Sequence, residues 1–175
     1  MPVFVLSLSA ETEGIASIEG LGEEMQYTVD FQQSGGSEVK AGVVVSLDET
    51  IDPGGGGTEC HALLKWGGKT QSTITMMEIP GVTRAFAEAD SGSEPVPLIA
   101  MECRGCEPIA WAVGEGWKVT VTSGQVFEDV DLSEDWTEFD EGTGEPVMIS
   151  EIASSTAVAQ IPKDKKGGGK KKKKK

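Results

Sequence analysis

The chain has 175 residues and 38% hydrophobic content, enough for one cored domain or two small ones sharing a core, and its three cysteines are too few for a disulfide framework. Its charge is divided: residues 163–175 carry nine Lys and one Asp, net +8, whereas residues 1–162 carry 28 acids against six Lys and Arg, net −22. That acidic body argues against nucleic acid as its partner, and the absence of a leader pattern or a membrane-length apolar stretch predicts a soluble intracellular protein with no membrane partner.

Taken in chain order, residues 3–10 alternate as a strand, with Phe4, Leu6, Leu8 and Ala10 on one face. Residues 11–24 are acidic and broken by glycine, and read as a connection. Tyr27, Val29 and Phe31 alternate with polar residues, which predicts a strand with one wet face. Ser34-Gly35-Gly36-Ser37 is a turn, and Val43, Val45 and Leu47 form the return strand. A flexible loop follows at Asp52-Pro53 and Gly54 to Gly57. Residues 59–66 and 70–77 predict a hairpin on a two-residue Gly67-Gly68 turn. Residues 78–95 read as loop. Short strands then fill residues 96–121, and residues 147–152 and 157–161 are two closing strands stopped by Pro162.

Gly is abundant and amphipathic helical runs are scarce. The expected fold is therefore mainly β, with antiparallel strands in two similar halves, about 1–95 and 96–162, forming a β-sandwich-like domain with few helices. Residues 163–175 are expected to be a disordered Lys-rich tail.

Residues 99–141 hold three of the four Trp and two of the three Cys. The string Glu102-Cys103-Arg104-Gly105 with Glu107-Pro108, then Ser123-Gly124 with Phe127, then Asp129-Val130-Asp131-Leu132 leading to Asp135-Trp136 and Phe139-Asp140-Glu141 form an ordered set. This set resembles the C-terminal half of the CXXC motif-containing zinc-binding proteins, small and largely uncharacterised eukaryotic β proteins. The resemblance extends more weakly over most of residues 1–162 and leaves the tail out. It implies two Cys-x-x-Cys knuckles completing a tetrahedral zinc site. Here the aligned positions are Gln33 and Gly36, then Lys65 and Gly68, none of which supplies a thiolate. The resemblance therefore implies a divergent member without the zinc cysteines, its two turns built with glycine. A shifted alignment brings only Cys60 to a ligand position.

Other chemistry is weighed from the residues. Cys103-Arg104-Gly105-Cys106 is itself a Cys-x-x-Cys, and with Cys60 and His61 it could make a four-ligand set or a dithiol. Cys103, however, shares an apolar face with Ile99 and Met101, where Cys acts as a small hydrophobe. Gly68-Lys69-Thr70 ends like a phosphate-binding loop, but Leu63 stands where the pattern needs Gly and a strand follows. Asp129, Asp131, Ser133 and Asp135 open like a calcium loop, with Asp140 at its last ligand position, but Glu134 stands where Gly is required. The bland alternative is a solvated segment pinned by Phe127, Leu132, Trp136 and Phe139. His61 is the single His, and no nucleophile–base arrangement accompanies it. The chain is accordingly expected not to be an enzyme and to need no cofactor.

What remains is the tail. Lys170, Lys171, Lys172, Lys173, Lys174 and Lys175, behind the Gly167-Gly168-Gly169 hinge, suit a densely acidic partner. A metal-free relative with such a tail resembles a ciliary axoneme component on doublet microtubules. This implies tubulin and other axonemal proteins as partners and the cilium or flagellum as location. The alternative is a cytosolic metal- or thiol-handling protein using Cys60, His61, Cys103 and Cys106.

Overall fold

The structure is a computed structural model and describes residues 2–20 and 22–160. Among them lie thirteen strands: β1 (Val3–Glu13), β2 (Ile15–Gly20), β3 (Gln26–Gln33), β4 (Val39–Ser46), β5 (Ala62–Lys65), β6 (Gln71–Met77), β7 (Phe86–Ala87), β8 (Val96–Arg104), β9 (Cys106–Ala112), β10 (Trp117–Val121), β11 (Val126–Val130), β12 (Trp136–Asp140) and β13 (Glu145–Val158). The helical elements among the described residues are two 3-10 turns, Gly22–Glu24 and Glu88–Asp90, so no helix there is long and apolar enough to cross a membrane.

The strands form three sheets: a six-stranded one in the order β12-β13-β1-β8-β6-β5, a four-stranded one β11-β10-β2-β7, and a three-stranded one β4-β3-β9. Every pairing is antiparallel. The fold is thus mainly antiparallel β, as its alternating pattern predicts. Each sheet mixes strands from before and after residue 95. Side chains from all three meet in one apolar core.

Period-two burial makes these strands. Tyr27, Val29 and Phe31 of β3 point inward while Thr28 and Asp30 do not. Ser72, Ile74 and Met76 do the same in β6. In the middle of β1 the alternation is lost, because Val5, Leu6, Ser7 and Leu8 are all buried between β13 and β8. At the centre, Tyr27, Trp111 and Trp117 pack with ring centroids 6.1–6.3 Å apart.

Several expectations are corrected. Residues 11–24 are not merely a connection: β1 runs on to Glu13, Gly14 turns the chain at φ 72°, and β2 enters the second sheet. Ile15 and Ile18 are buried there, and Gly20 pairs with Trp117. The two closing strands are one 14-residue strand, β13, kept continuous because β1 pairs along nearly all of it. A bulge absorbs the irregularity opposite Glu11, near Glu151 at φ 52°. The turn after β5 is longer than two residues, since Lys65 pairs with Gln71. Phe139, expected as an anchor, is 55% exposed, because Leu132 and Asp140 take the inward positions of that segment. Phe127 and Trp136 do pin it, edge to face at 5.2 Å.

Candidate functional site

Two glycine turns that are distant in sequence face each other. The first joins β3 to β4: the Gln33 N–H donates to Glu38 O at 2.9 Å and the Gly36 N–H to Gln33 O at 3.2 Å. Gly35 sits at φ 75°, which a residue without Cβ adopts without strain. The second joins β5 to β6: the Trp66 N–H donates to Thr70 O at 3.0 Å, and Gly68 sits at φ 82°. In both turns the glycine of positive φ lies two residues after the residue whose N–H closes the turn. By this geometry Trp66, one residue past Lys65, is the counterpart of Gln33.

Side chains then tie the turns together. Gln33 Nε2 donates to Thr70 Oγ1 at 3.1 Å, and the Gly67 N–H donates to Glu38 Oε1 at 3.2 Å. Lys40 Nζ lies 5.6 Å from the centroid of the Trp66 ring, within cation–π range. Gln33 and Lys65 thus flank one junction, whose exposed rim carries Gly36 and Gly68.

A third turn lies beside them, between β8 and β9. The Ser34 N–H donates to Gly105 O at 3.0 Å, and Gln33 pairs with Cys106 across the β3–β9 ladder. Trp66 Nε1 donates to Ser72 Oγ at 2.7 Å. Ser72 lies beside the β8–β9 turn, where a Cβ on Gly105 would come 2.8 Å from its Oγ. Cys103 and Cys106 are both buried, with free thiols on either side of this turn. The neighbouring Cys106, with burial, pushes the Cys103 thiol up, and the neighbouring Cys103 and Ser72 draw the Cys106 thiol down.

The other expected ligands do not join it. Cys60 is buried and donates to the backbone oxygens of Ala62, at 3.3 Å, and Ile51, at 3.7 Å. His61 Nδ1 accepts the Met76 N–H at 2.8 Å, and burial holds its imidazole below the ordinary range. Strand β6 separates this pair of residues from β8. Among the described residues no group of three or more His, Cys, Asp or Glu is placed to hold a metal ion. In the acidic segment Asp131 is spent on Ser133, whose N–H and Oγ it accepts at 2.9 and 2.7 Å. Asp140 points into the protein, accepting Ser123 Oγ at 2.6 Å and the Gly142 N–H at 2.8 Å, bonds that hold its carboxyl below the ordinary range. Lys69-Thr70 leads into strand β6, with no helix to present amides to a phosphate. Lys170 to Lys175 lie outside the described residues.

Sequence reasoning missed Glu38, Lys40 and Ser72. Each acts across the junction of two turns more than twenty residues apart, and nothing in the local pattern marks such a contact.

Comparison with known proteins places this architecture. The family model described as "CXXC motif containing zinc binding protein, eukaryotic" matches residues 5–157. The chain belongs to that family. It is similar to UPF0587 protein C2D10.03c of Schizosaccharomyces pombe, 28% identical over 163 residues, covering 91% of this chain and 100% of the relative. It is likewise similar to the human CXXC motif containing zinc binding protein, 28% identical over 156 residues, covering 87% and 96%. Drosophila melanogaster UPF0587 protein CG4646 is 43% identical over 88 residues, which span 49% of this chain and 54% of that protein. Among solved structures, one described as "Crystal Structure of C1orf123" aligns with a TM-score of 0.80 at 23% identity, covering 89% of this chain and 99% of the other. A hypothetical protein from Plasmodium falciparum aligns with a TM-score of 0.81 at 20% identity, covering 90% and 100%. These two establish the shared fold.

The family name implies zinc on Cys-x-x-Cys pairs. The facing turns of this chain offer an amide, glycines, lysines and the single carboxylate of Glu38, which is already engaged by Gly67. Neither thiolate nor imidazole is among them, so these residues do not fit zinc.

Proposed function

We propose that this chain is a non-catalytic structural and interaction protein, a divergent family member in which Gln33, Gly36, Lys65 and Gly68 stand where relatives carry zinc cysteines. The observation that carries the reading is the closed junction of the two turns. Gln33–Thr70 and Glu38–Gly67 hydrogen bonds link elements that a metal would otherwise have to clamp. A fold that needs no ion there is free to serve as an assembly component. The outer strand β4 adds a surface for this, with Val39 and Val44 about half exposed at a sheet edge.

The specific partner we propose is the ciliary or flagellar doublet microtubule, by resemblance to a metal-free axonemal relative with such a tail. Lys170–Lys175 suit the acidic surface of tubulin, whereas the acidic body requires shaped patches for docking. Co-sedimentation with microtubules tests this. The intact chain should pellet, less so as salt rises, and deletion of Lys170–Lys175 should weaken pelleting severalfold. Equal pelleting of both forms removes the tail from the reading, and a cytosolic location removes the cilium.

The Cys103–Cys106 pair favours a second reading, a metal- or thiol-handling protein. Metal analysis of the purified chain separates the two. Stoichiometric zinc supports the second, and metal-free folded protein supports the first.

A further inference from the structure

A cleft of about 780 Å³ opens on the side of Tyr27. Leu47, Pro80, Leu98 and Ile99 make its apolar wall, and Glu19, Glu23, Glu78 and Glu128 surround it. Two cations also line it, but neither balances the acids. Arg84 is held by Asp90 in a bidentate pair at 2.7 and 2.9 Å. Lys118 stands opposite Glu19 across the β10–β2 ladder. Among the described residues Arg84–Asp90 is the one ion pair within 4 Å, so four carboxylates in the cleft face the single remaining ammonium of Lys118.

The second observation is Tyr27 itself. Its ring is 6% exposed and packs on Trp111 and Trp117, yet it lines this cleft. Among the described residues its hydroxyl has no hydrogen-bond partner, and burial with the nearby Glu78 pushes its pKa up to about 12, so it stays neutral. Gly20 leaves the space in front of it: a Cβ there would lie 3.1 Å from the Tyr27 oxygen. A buried neutral phenol aimed into an acidic, apolar-walled cleft suits an ammonium group on an aliphatic stem. The stem lies on the wall, the carboxylates meet the charge, and the phenol oxygen accepts a hydrogen bond.

We propose that this cleft binds lysine side chains, and that its occupant is the chain's own Lys170–Lys175 segment. Three features select that occupant. The signs are opposite, six adjacent Lys against an acidic cleft. The described chain ends at Gln160, which lines a second hollow of about 450 Å³ together with Gly81, Val82 and Pro97. Pro80, Thr83 and Leu98, from that same loop and strand, line the acidic cleft. Nine residues lie between Gln160 and Lys170, so the first lysine of the run can reach up to about 33 Å from Gln160 when the chain is extended. Tethering sets a local lysine concentration in the millimolar range, which a free basic partner must exceed. The proposal does not rest on the microtubule reading, because it needs no second protein.

Zero-length carbodiimide coupling of the dilute intact chain tests it. The expected product is a monomer in which Lys170–Lys175 are joined to Glu19, Glu23, Glu78 or Glu128, with the yield falling as salt rises. Joining mainly to Glu134, Asp135 or Glu138, or only in dimers, overturns it. A lysine hexapeptide gives a second readout. It should bind the chain lacking Lys170–Lys175 about tenfold more tightly than the intact chain. It should also lose that gain in the Glu78→Gln, Glu128→Gln variant. Equal affinity for the intact and shortened chains overturns the proposal whatever becomes of microtubule binding.

Discussion

Glu38 and His61 show how much one side chain carries in this molecule. Glu38 accepts the Gly67 N–H across the junction of turns, at an exposed site. Glu38→Ala should therefore lower stability by only about 0.5–1.5 kcal/mol, the net worth of one such bond, measured by urea unfolding. A chelator should leave the melting temperature of the intact protein unchanged. His61 makes a pH prediction. Its ordinary value of 6.5 is lowered by burial in the folded state, so the unfolded state takes up the proton first. Its stabilising contribution is complete above pH 6.5 and is lost as pH falls below it. His61→Asn, which keeps an acceptor for the Met76 N–H without titrating, should flatten the stability profile in that window. An unchanged slope would assign the pH dependence elsewhere. At this scale the sequence was a partial guide. Cys103 was readable as a buried hydrophobe from its neighbours Ile99 and Met101. Ser72's link to Trp66 and its close approach to Gly105 arise only when β6, β8 and β9 meet.

Elements were legible in proportion to their alternation. β3, β6 and β8 announce themselves by period two. β2 does not: its short Ile-Ala-Ser-Ile-Glu-Gly run lies between acids and glycines, and it becomes a strand through pairing with β10 and β7. β13 reads as two pieces because Ser154-Ser155-Thr156 interrupts the apolar pattern. Strand β9 supplies the missing interactions: Ser154 Oγ donates to Trp111 O at 2.6 Å and Trp111 Nε1 donates to Ser155 O at 3.0 Å. Turns were legible from glycine, but not which turns would meet. Gly105 is the tightest case tied to the site. It sits at φ 85°, and a Cβ there would lie 2.8 Å from Ser72 Oγ. Gly105→Ala should cost about 1–3 kcal/mol by forcing that backbone and displacing Ser72. Thermal unfolding checks it, and a neutral result would mean the turn re-forms in another conformation.

The whole molecule is an electrostatic compromise. A body of net −22 with one close ion pair among its described residues is held together by its apolar core against self-repulsion. Added salt should therefore raise its melting temperature over the range where the screening length shrinks to about 10 Å and below. A fall on adding salt would mean that attractive pairs dominate instead. Core truncation should be far more damaging than any charge change. Phe31 is fully buried, and Phe31→Ala should remove about 3–5 kcal/mol.

The long final strand has a consequence for how the protein comes into being. β13 lies between β12 and β1, and the Ala159 N–H closes onto Val3 O at 2.8 Å, so the last described strand completes the sheet begun by the first. A growing polypeptide emerging from the ribosome therefore holds β1 with one edge open until β13 has been made. Emergence of β13, and not of the strands before it, sets the moment at which this edge can be sealed against misassembly.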